Sequence, residues 1–191
     1  MSVSTYSRRD LLVKGSTLSV AGLGLLAGVS GKAFAADGSE TSGQDVDILN
    51  VILGTEHEGI AAYEIVLGRK LLHAEAAKNA HLFQDHHKTH RDILIGKIKT
   101  LGGTPAQAKQ NDEYANDLDT VNVKSQKDAL QLIVKLELGA ANAYIGMLPS
   151  TNDHELIKVA SRIAADEVLH WTSWTSLLHN PLPPDALSFG A

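Results

Sequence analysis

A five-residue pattern, Leu53, Glu56, Ile60, Tyr63 and Leu67, recurs 81 residues later as Val134, Glu137, Ala141, Tyr144 and Leu148. Both copies advance by alternating threes and fours, the spacing that lines side chains along one seam of a helix in a bundle. A second pattern behaves the same way: Phe83, His87, His90 and Leu94 return after 80 residues as Ile163, Glu167, His170 and Trp174. One step further Lys97 stands opposite Leu177, where the strict seam fails, and the next pair, Ile98 and Leu178, is apolar again. Two offsets that agree to within one residue indicate an internal duplication, two related helical hairpins facing one another.

The punctuation of the chain fits that reading. Helical spacing runs from about Asp47 to His73 and from Glu75 to Leu101, where GGTP stops the second helix with glycines followed by Pro105. A third helix is expected from about Ser125 to Leu148, ahead of Pro149, and a fourth from Asn152 to His179, ahead of Pro181. Short connections make the first two helices antiparallel neighbours, and likewise the last two. The polar QAKQNDEYANDLDTVNV between them has the length to travel along a bundle. The predicted architecture is all-α: an antiparallel four-helix bundle over residues 47–180, two hairpins joined by a long crossover. Residues 181–191, rich in proline, form an extended tail.

Residues 1–35 are expected to be a leader. Ser7-Arg8-Arg9-Asp10-Leu11-Leu12 resembles a twin-arginine export signal, the uncharged STLSVAGLGLLAGVSG follows, and Ala33-Phe34-Ala35 offers a small-x-small cleavage site. Residues 36–46 then read as a flexible linker, and the protein is expected in the periplasm or outside the cell. Taking Arg8, Arg9, Lys14, Lys32 and Asp10 from 17 basic and 22 acidic residues leaves 13 and 21, a net charge of −8 for the mature chain. That acidity, without a basic run, argues against nucleic-acid or anionic-membrane partners. No apolar run beyond the leader is long enough to span a membrane. Cysteine is absent, which excludes disulfides, thiolate metal sites and cysteine nucleophiles.

The seam positions carry the chemistry. Glu56, His87, His90, Glu137, Glu167 and His170 converge on one layer of the bundle. A carboxylate in an apolar interior is costly unless it is paired or bound to a metal, and Glu137 lies in LQLIVKLELGAANAYIGML with Lys135 the only other charge. Cations among three carboxylates and three imidazoles satisfy all six. In Glu167-x-x-His170 both side chains lie on one helix face, so the two can bind the same ion. The bland alternatives are a tyrosine–carboxylate hydrogen bond between Glu56 and Tyr63 and between Glu137 and Tyr144, and core histidines at His90 and His170. His86 falls off the seam, and His57, His73, His81, His154 and His179 read as surface residues. Asp85, Asp92 and Glu64 point away.

The motifs EHEGIAAYE, FQDHHKTHRD, KLELGAANAY and ADEVLHW, in that order, resemble the ferritin-like superfamily, and specifically its exported bacterial ferritin-like domain proteins. The resemblance implies a di-metal carboxylate site, with one glutamate from each of two helices and Glu-x-x-His from each of the others. Its metal ligands fall on Glu56, Glu137, Glu167, His170 and His90. At position 87 the pattern calls for glutamate and this chain has His87. Three carboxylates leave two divalent ions with a formal +1, before any hydroxide or oxide bridge, and imidazole favours zinc or copper as well as iron.

The implied function is a di-metal protein, di-iron first with manganese, zinc or copper as alternatives, that oxidises Fe(II) or reduces dioxygen or peroxide. Tyr63 and Tyr144 would orient carboxylates or quench a radical as catalytic groups, and the electron donor would be external. The partners are metal ions, the oxygen species and, by homo-oligomerisation, copies of the chain. Two other classes stand beside it: a metal-binding or buffering protein without turnover, and a structural stress-protection bundle.

Overall fold

The computed structural model describes residues 38–190. The predicted bundle forms from α1 (Gly38–Gly68), α2 (Ala74–Thr100), α4 (Gln126–Met147) and α5 (His154–Leu177), with a short α3 (Asn111–Asp117) in the crossover. Helix α1 packs on α2 and α4, and α4 packs on α5. Among the described residues no helix is long and apolar enough to cross a membrane. The leader expected over residues 1–35 lies outside the described residues.

Local sequence sets the helix ends. At the start of α4 the Ser125 hydroxyl accepts from the Asp128 amide at 3.2 Å, and the Asp128 carboxylate accepts from the Ser125 amide at 2.9 Å, a reciprocal capping box. Asp153 caps α5 by accepting from the amides of Glu155 and Leu156. Just past the end of α2, Gly102, with φ of 78°, reverses the chain while the Gly103 amide donates to the Ile98 carbonyl at 2.9 Å.

Three local expectations change. Helix α1 begins at Gly38, inside the segment read as a linker, because residues 36–46 hold no proline to stop a helix extending backward. The crossover contains α3 and a 3₁₀ turn at Thr120–Asn122, pinned when Arg69 donates to the carbonyls of Thr120 and Val123. The same crossover covers His57, read as a surface residue: its Nε2 donates to the Ala106 carbonyl at 3.2 Å and its side chain is buried.

The core has two apolar ends. One gathers Leu49, Leu53, Leu94, Ile98, Tyr144, Met147 and Ile163, and the other Tyr63, Val66, Phe83, Leu130, Ile133 and Trp174. Each long helix crosses from one end to the other: α1 from Leu53 to Tyr63, α2 from Phe83 to Leu94, α4 from Ile133 to Tyr144, α5 from Ile163 to Trp174. The polar seam residues lie between, so apolar packing closes their layer from both sides. Past Asn180 the tail returns along α4 and α5, where Phe189 meets Trp171 edge-on at 5.2 Å and the Gly190 amide donates to Asn142 Oδ1 at 2.7 Å.

Candidate metal centre

All six seam residues are buried: Glu56, Glu167 and His170 are 0% exposed, Glu137 1%, and His87 and His90 3% each. They form two overlapping groups whose ligand atoms all lie within 4.8 Å of one another, Glu56, His87, His90 and Glu167 in one and His87, Glu137, Glu167 and His170 in the other. Asp85, Asp92 and Glu64 are exposed, as their positions relative to the seam predict.

Two residues belong to both groups, and each presents a different atom to either side. Glu167 Oε1 lies 2.9 Å from His90 Nδ1, and Glu167 Oε2 lies 3.6 Å from His170 Nδ1. The His87 ring places Nδ1 2.8 Å from Glu56 Oε2 and Nε2 3.4 Å from Glu137 Oε1. Gly59 of α1 leaves room for that ring, since a Cβ there would stand 3.3 Å from His87 Nδ1.

The single-helix carboxylates are held from across the bundle. Tyr144 on α4 donates to Glu56 Oε1 on α1 at 2.5 Å, and Tyr63 on α1 donates to Glu137 Oε1 on α4. Trp174 Nε1 in turn donates to the Tyr63 hydroxyl at 2.8 Å. The pairing within one helix considered from the sequence therefore gives way to a crossed one. Residues seven apart in a helix are separated by about 10 Å of rise, too far for a direct bond, whereas the facing helix brings the partner close.

A second layer of contacts orients the histidines. His90 Nε2 donates to Asp166 Oδ2 at 3.2 Å, and the His170 Nε2 edge shares a hydrogen bond with His86 Nδ1 at 3.0 Å. His86, off the seam, thus touches a cluster residue without joining either group. Asp166, which the seam spacing did not flag, is the contact that reading missed. The duplication contained the signal, because an offset of 80 pairs Asp166 with His86 just as it pairs Glu167 with His87.

The electrostatics are those of closely opposed buried charges. Burial acts against ionisation of Glu56, but His87 and His90 outweigh it and bring its pKa down to about 2. Glu137 is held low in the same way by His87 and His170. Burial likewise opposes charge on His90, yet Glu167 and Glu56 raise its pKa to about 10. His87 and His170 are raised too, against burial, by Glu167 and Glu137. Glu167 goes the other way, pushed up by burial that its histidine neighbours only partly offset. Burial, then the charge of the carboxylate each one serves, raises Tyr63 and Tyr144, which keeps both as hydrogen-bond donors.

One part of the cluster is unsatisfied. Among the described residues, both carboxylate oxygens of Glu167 and Nδ1 of His90 are buried without a hydrogen-bond partner. The 2.9 Å between His90 Nδ1 and Glu167 Oε1 is an ion-pair distance without hydrogen-bond alignment. Buried polar groups left this way ordinarily mark a missing partner such as an ion.

The family model for the ferritin-like domain matches residues 44–180. A crystal structure of a conserved hypothetical protein from Mycobacterium tuberculosis is similar to the chain, with 23% sequence identity and a TM-score of 0.62. The likeness covers 76% of this chain and 97% of that one, and is a likeness of fold. No curated protein matches the chain.

Proposed function

Because the chain belongs to the ferritin-like domain family, we propose that it holds a pair of metal ions, iron first among them, and oxidises Fe(II) or reduces dioxygen or peroxide. The observation that carries this reading is the trio of buried atoms without a hydrogen bond, Glu167 Oε1 and Oε2 and His90 Nδ1, in a layer where four further ligand side chains converge. Hydrogen bonds within the protein satisfy Glu56 and Glu137 but not Glu167, and a cation would satisfy it. Bound iron would supply the electrons passed to the oxygen species.

The chain's own residues do the rest. Glu56 and Glu137 enter the site already oriented, because Tyr144 and Tyr63 each fix one oxygen while a histidine of the cluster, His87 for Glu56 and His170 for Glu137, holds the other. Glu167 reaches both ligand groups. Asp166 fixes the His90 ring so that Nδ1 faces inward. The apolar ends of the bundle exclude water along its axis, and access runs from the side. A cleft of about 210 Å³ between α2 and α5 reaches His90, with His86, Thr89, Arg162 and Asp166 around it.

The deciding experiment loads metal-free protein with Fe(II) anaerobically, counts ions per chain and then admits oxygen. Two ions per chain and iron-dependent oxygen uptake are expected; fewer than about one iron per chain would end the iron-dependent enzyme reading. One observation favours a second reading, metal buffering without turnover: the imidazole of His87 in a position where a carboxylate stabilises high-valent iron. Retention of zinc or copper over iron in direct competition, with no oxygen uptake, would establish it instead. Export through the twin-arginine route belongs to the same proposal, and cell fractionation with Arg8→Lys and Arg9→Lys tests it.

A further inference from the structure

The metal-centre reading leaves a charge unaccounted for. Glu56, Glu137 and Glu167 supply three negative charges to two divalent ions, and a net positive charge sealed in an apolar bundle is unfavourable. The residue standing where the fourth carboxylate would be is His87, and its position is unlike that of the other two histidines. His90 and His170 each turn Nδ1 toward the carboxylates and Nε2 away, toward Asp166 and His86. His87 turns both nitrogens inward: Nδ1 to Glu56 and, at 3.7 Å, to Glu167, and Nε2 to Glu137. It is also the histidine common to both ligand groups.

Resting on that reading, we propose that His87 binds both ions, one through each ring nitrogen, as a bridging imidazolate. Both of its nitrogen-bound protons leave to solvent as the two nitrogen–metal bonds form. The ring then carries one negative charge, and with three carboxylates it neutralises two divalent ions, as four glutamates would. The residue that withholds a carboxylate from the site restores its charge by a different chemistry. Gly59 and Tyr63 hold the ring in the bridging position, Gly59 by giving it room and Tyr63 by packing against it at 5.6 Å between centroids.

The bridge makes a prediction about spacing. Metal–nitrogen bonds of about 2.0–2.1 Å extend from opposite edges of the ring. The ions therefore stand farther apart than the about 3.5–4 Å of a carboxylate- or oxide-bridged pair. Metal-free protein loaded with two equivalents of Cu(II) tests this through metal count, paramagnetic resonance and X-ray absorption. The expected result is two coppers per chain, loss of most of the isolated-copper resonance through exchange coupling, and no metal–metal vector below 4 Å. In H87E the same loading should give a shorter vector. Two coppers giving the full isolated signal, or a vector of 3.5–4 Å in the unaltered protein, would overturn the bridge while leaving the metal centre standing. A single ion per chain would also overturn it, and only failure to bind any of iron, zinc or copper would remove the metal centre as well.

Discussion

His90 and His170 are equivalent under the duplication, yet His90 donates to the Asp166 carboxylate at 3.2 Å while His170 meets the neutral ring of His86 at 3.0 Å. Burial, then the neighbouring His170, lowers the His86 pKa and favours the neutral ring, which offers His170 no negative charge of the kind Asp166 offers His90. The two ligand groups are therefore unequal in basicity. Asp166→Asn should cost 10–100-fold in metal affinity at the His90 group, the usual effect of removing such a partner. His86→Asp should strengthen the His170 group and narrow the difference. Stepwise metal titration by calorimetry resolves both.

The crossed tyrosines predict a stability effect that metal does not control. Tyr144→Phe removes the hydroxyl that donates to Glu56 Oε1 and leaves a buried acceptor, a loss of about 1–3 kcal/mol in metal-free protein. Tyr63→Phe should cost more, since it breaks two hydrogen bonds: Trp174 Nε1 loses its acceptor, and Glu137 Oε1 keeps only the longer contact to His87 Nε2 at 3.4 Å. Urea unfolding followed by circular dichroism ranks the two, and equal losses would contradict the asymmetry.

Glutamates 137 and 167 should separate stability from metal binding. Glu137 is ionised and hydrogen-bonded to Tyr63 and His170, so Glu137→Gln breaks a buried charged network at about 3–5 kcal/mol. Glu167 makes no hydrogen bond, and burial opposes its charge, so what it has to lose is its ion pairing with His90. Glu167→Gln should therefore cost the metal-free protein less than Glu137→Gln does. Both variants should lose bound metal alike, read by elemental analysis beside thermal unfolding.

The metal-free protein should have a stability optimum set by the cluster. The His90 pKa rises on folding from 6.5 to about 10, so its contribution is complete below pH 6.5 and disappears as pH climbs through 10. The Glu56 pKa falls from 4.5 to about 2, so its contribution is complete above pH 4.5 and is lost as pH drops through 2. Both are present in full between pH 4.5 and 6.5. The raised Glu167 pKa biases the optimum toward the acid side of that window. Metal must displace these protons, so affinity should rise with pH from 6 to 9 and loading should acidify an unbuffered solution.

The seam was legible because a helix repeats its geometry: once Glu56 and Glu137 fall on matching positions, spacing alone brings six ionisable groups into one layer. What spacing does not carry is the rotation and height of one helix against the next. That is why the tyrosines change partners, and why Asp166 joins the cluster from beside the seam. The burial of His57 depends on where a polar crossover settles, which periodicity in α1 cannot reveal. The two inward-facing nitrogens of His87 are a matter of ring orientation, set by Gly59 and Tyr63 on another helix.

The crossed bonds from Tyr144 to Glu56 and from Tyr63 to Glu137 also bear on the history of the chain. Each hairpin carries a tyrosine and a glutamate that its own helices do not bring together, so a lone hairpin would leave both tyrosine–glutamate bonds unmade and its seam open to water. Two identical copies would satisfy each other. The ancestor implied by the duplication is thus a paired hairpin, stable only as two molecules, whose fusion through the crossover freed the halves to diverge. Positions 86 and 87, paired with Asp166 and Glu167, are among the places where they did. A chain cut within residues 103–110 should reassemble from its fragments, and neither fragment should fold without the other.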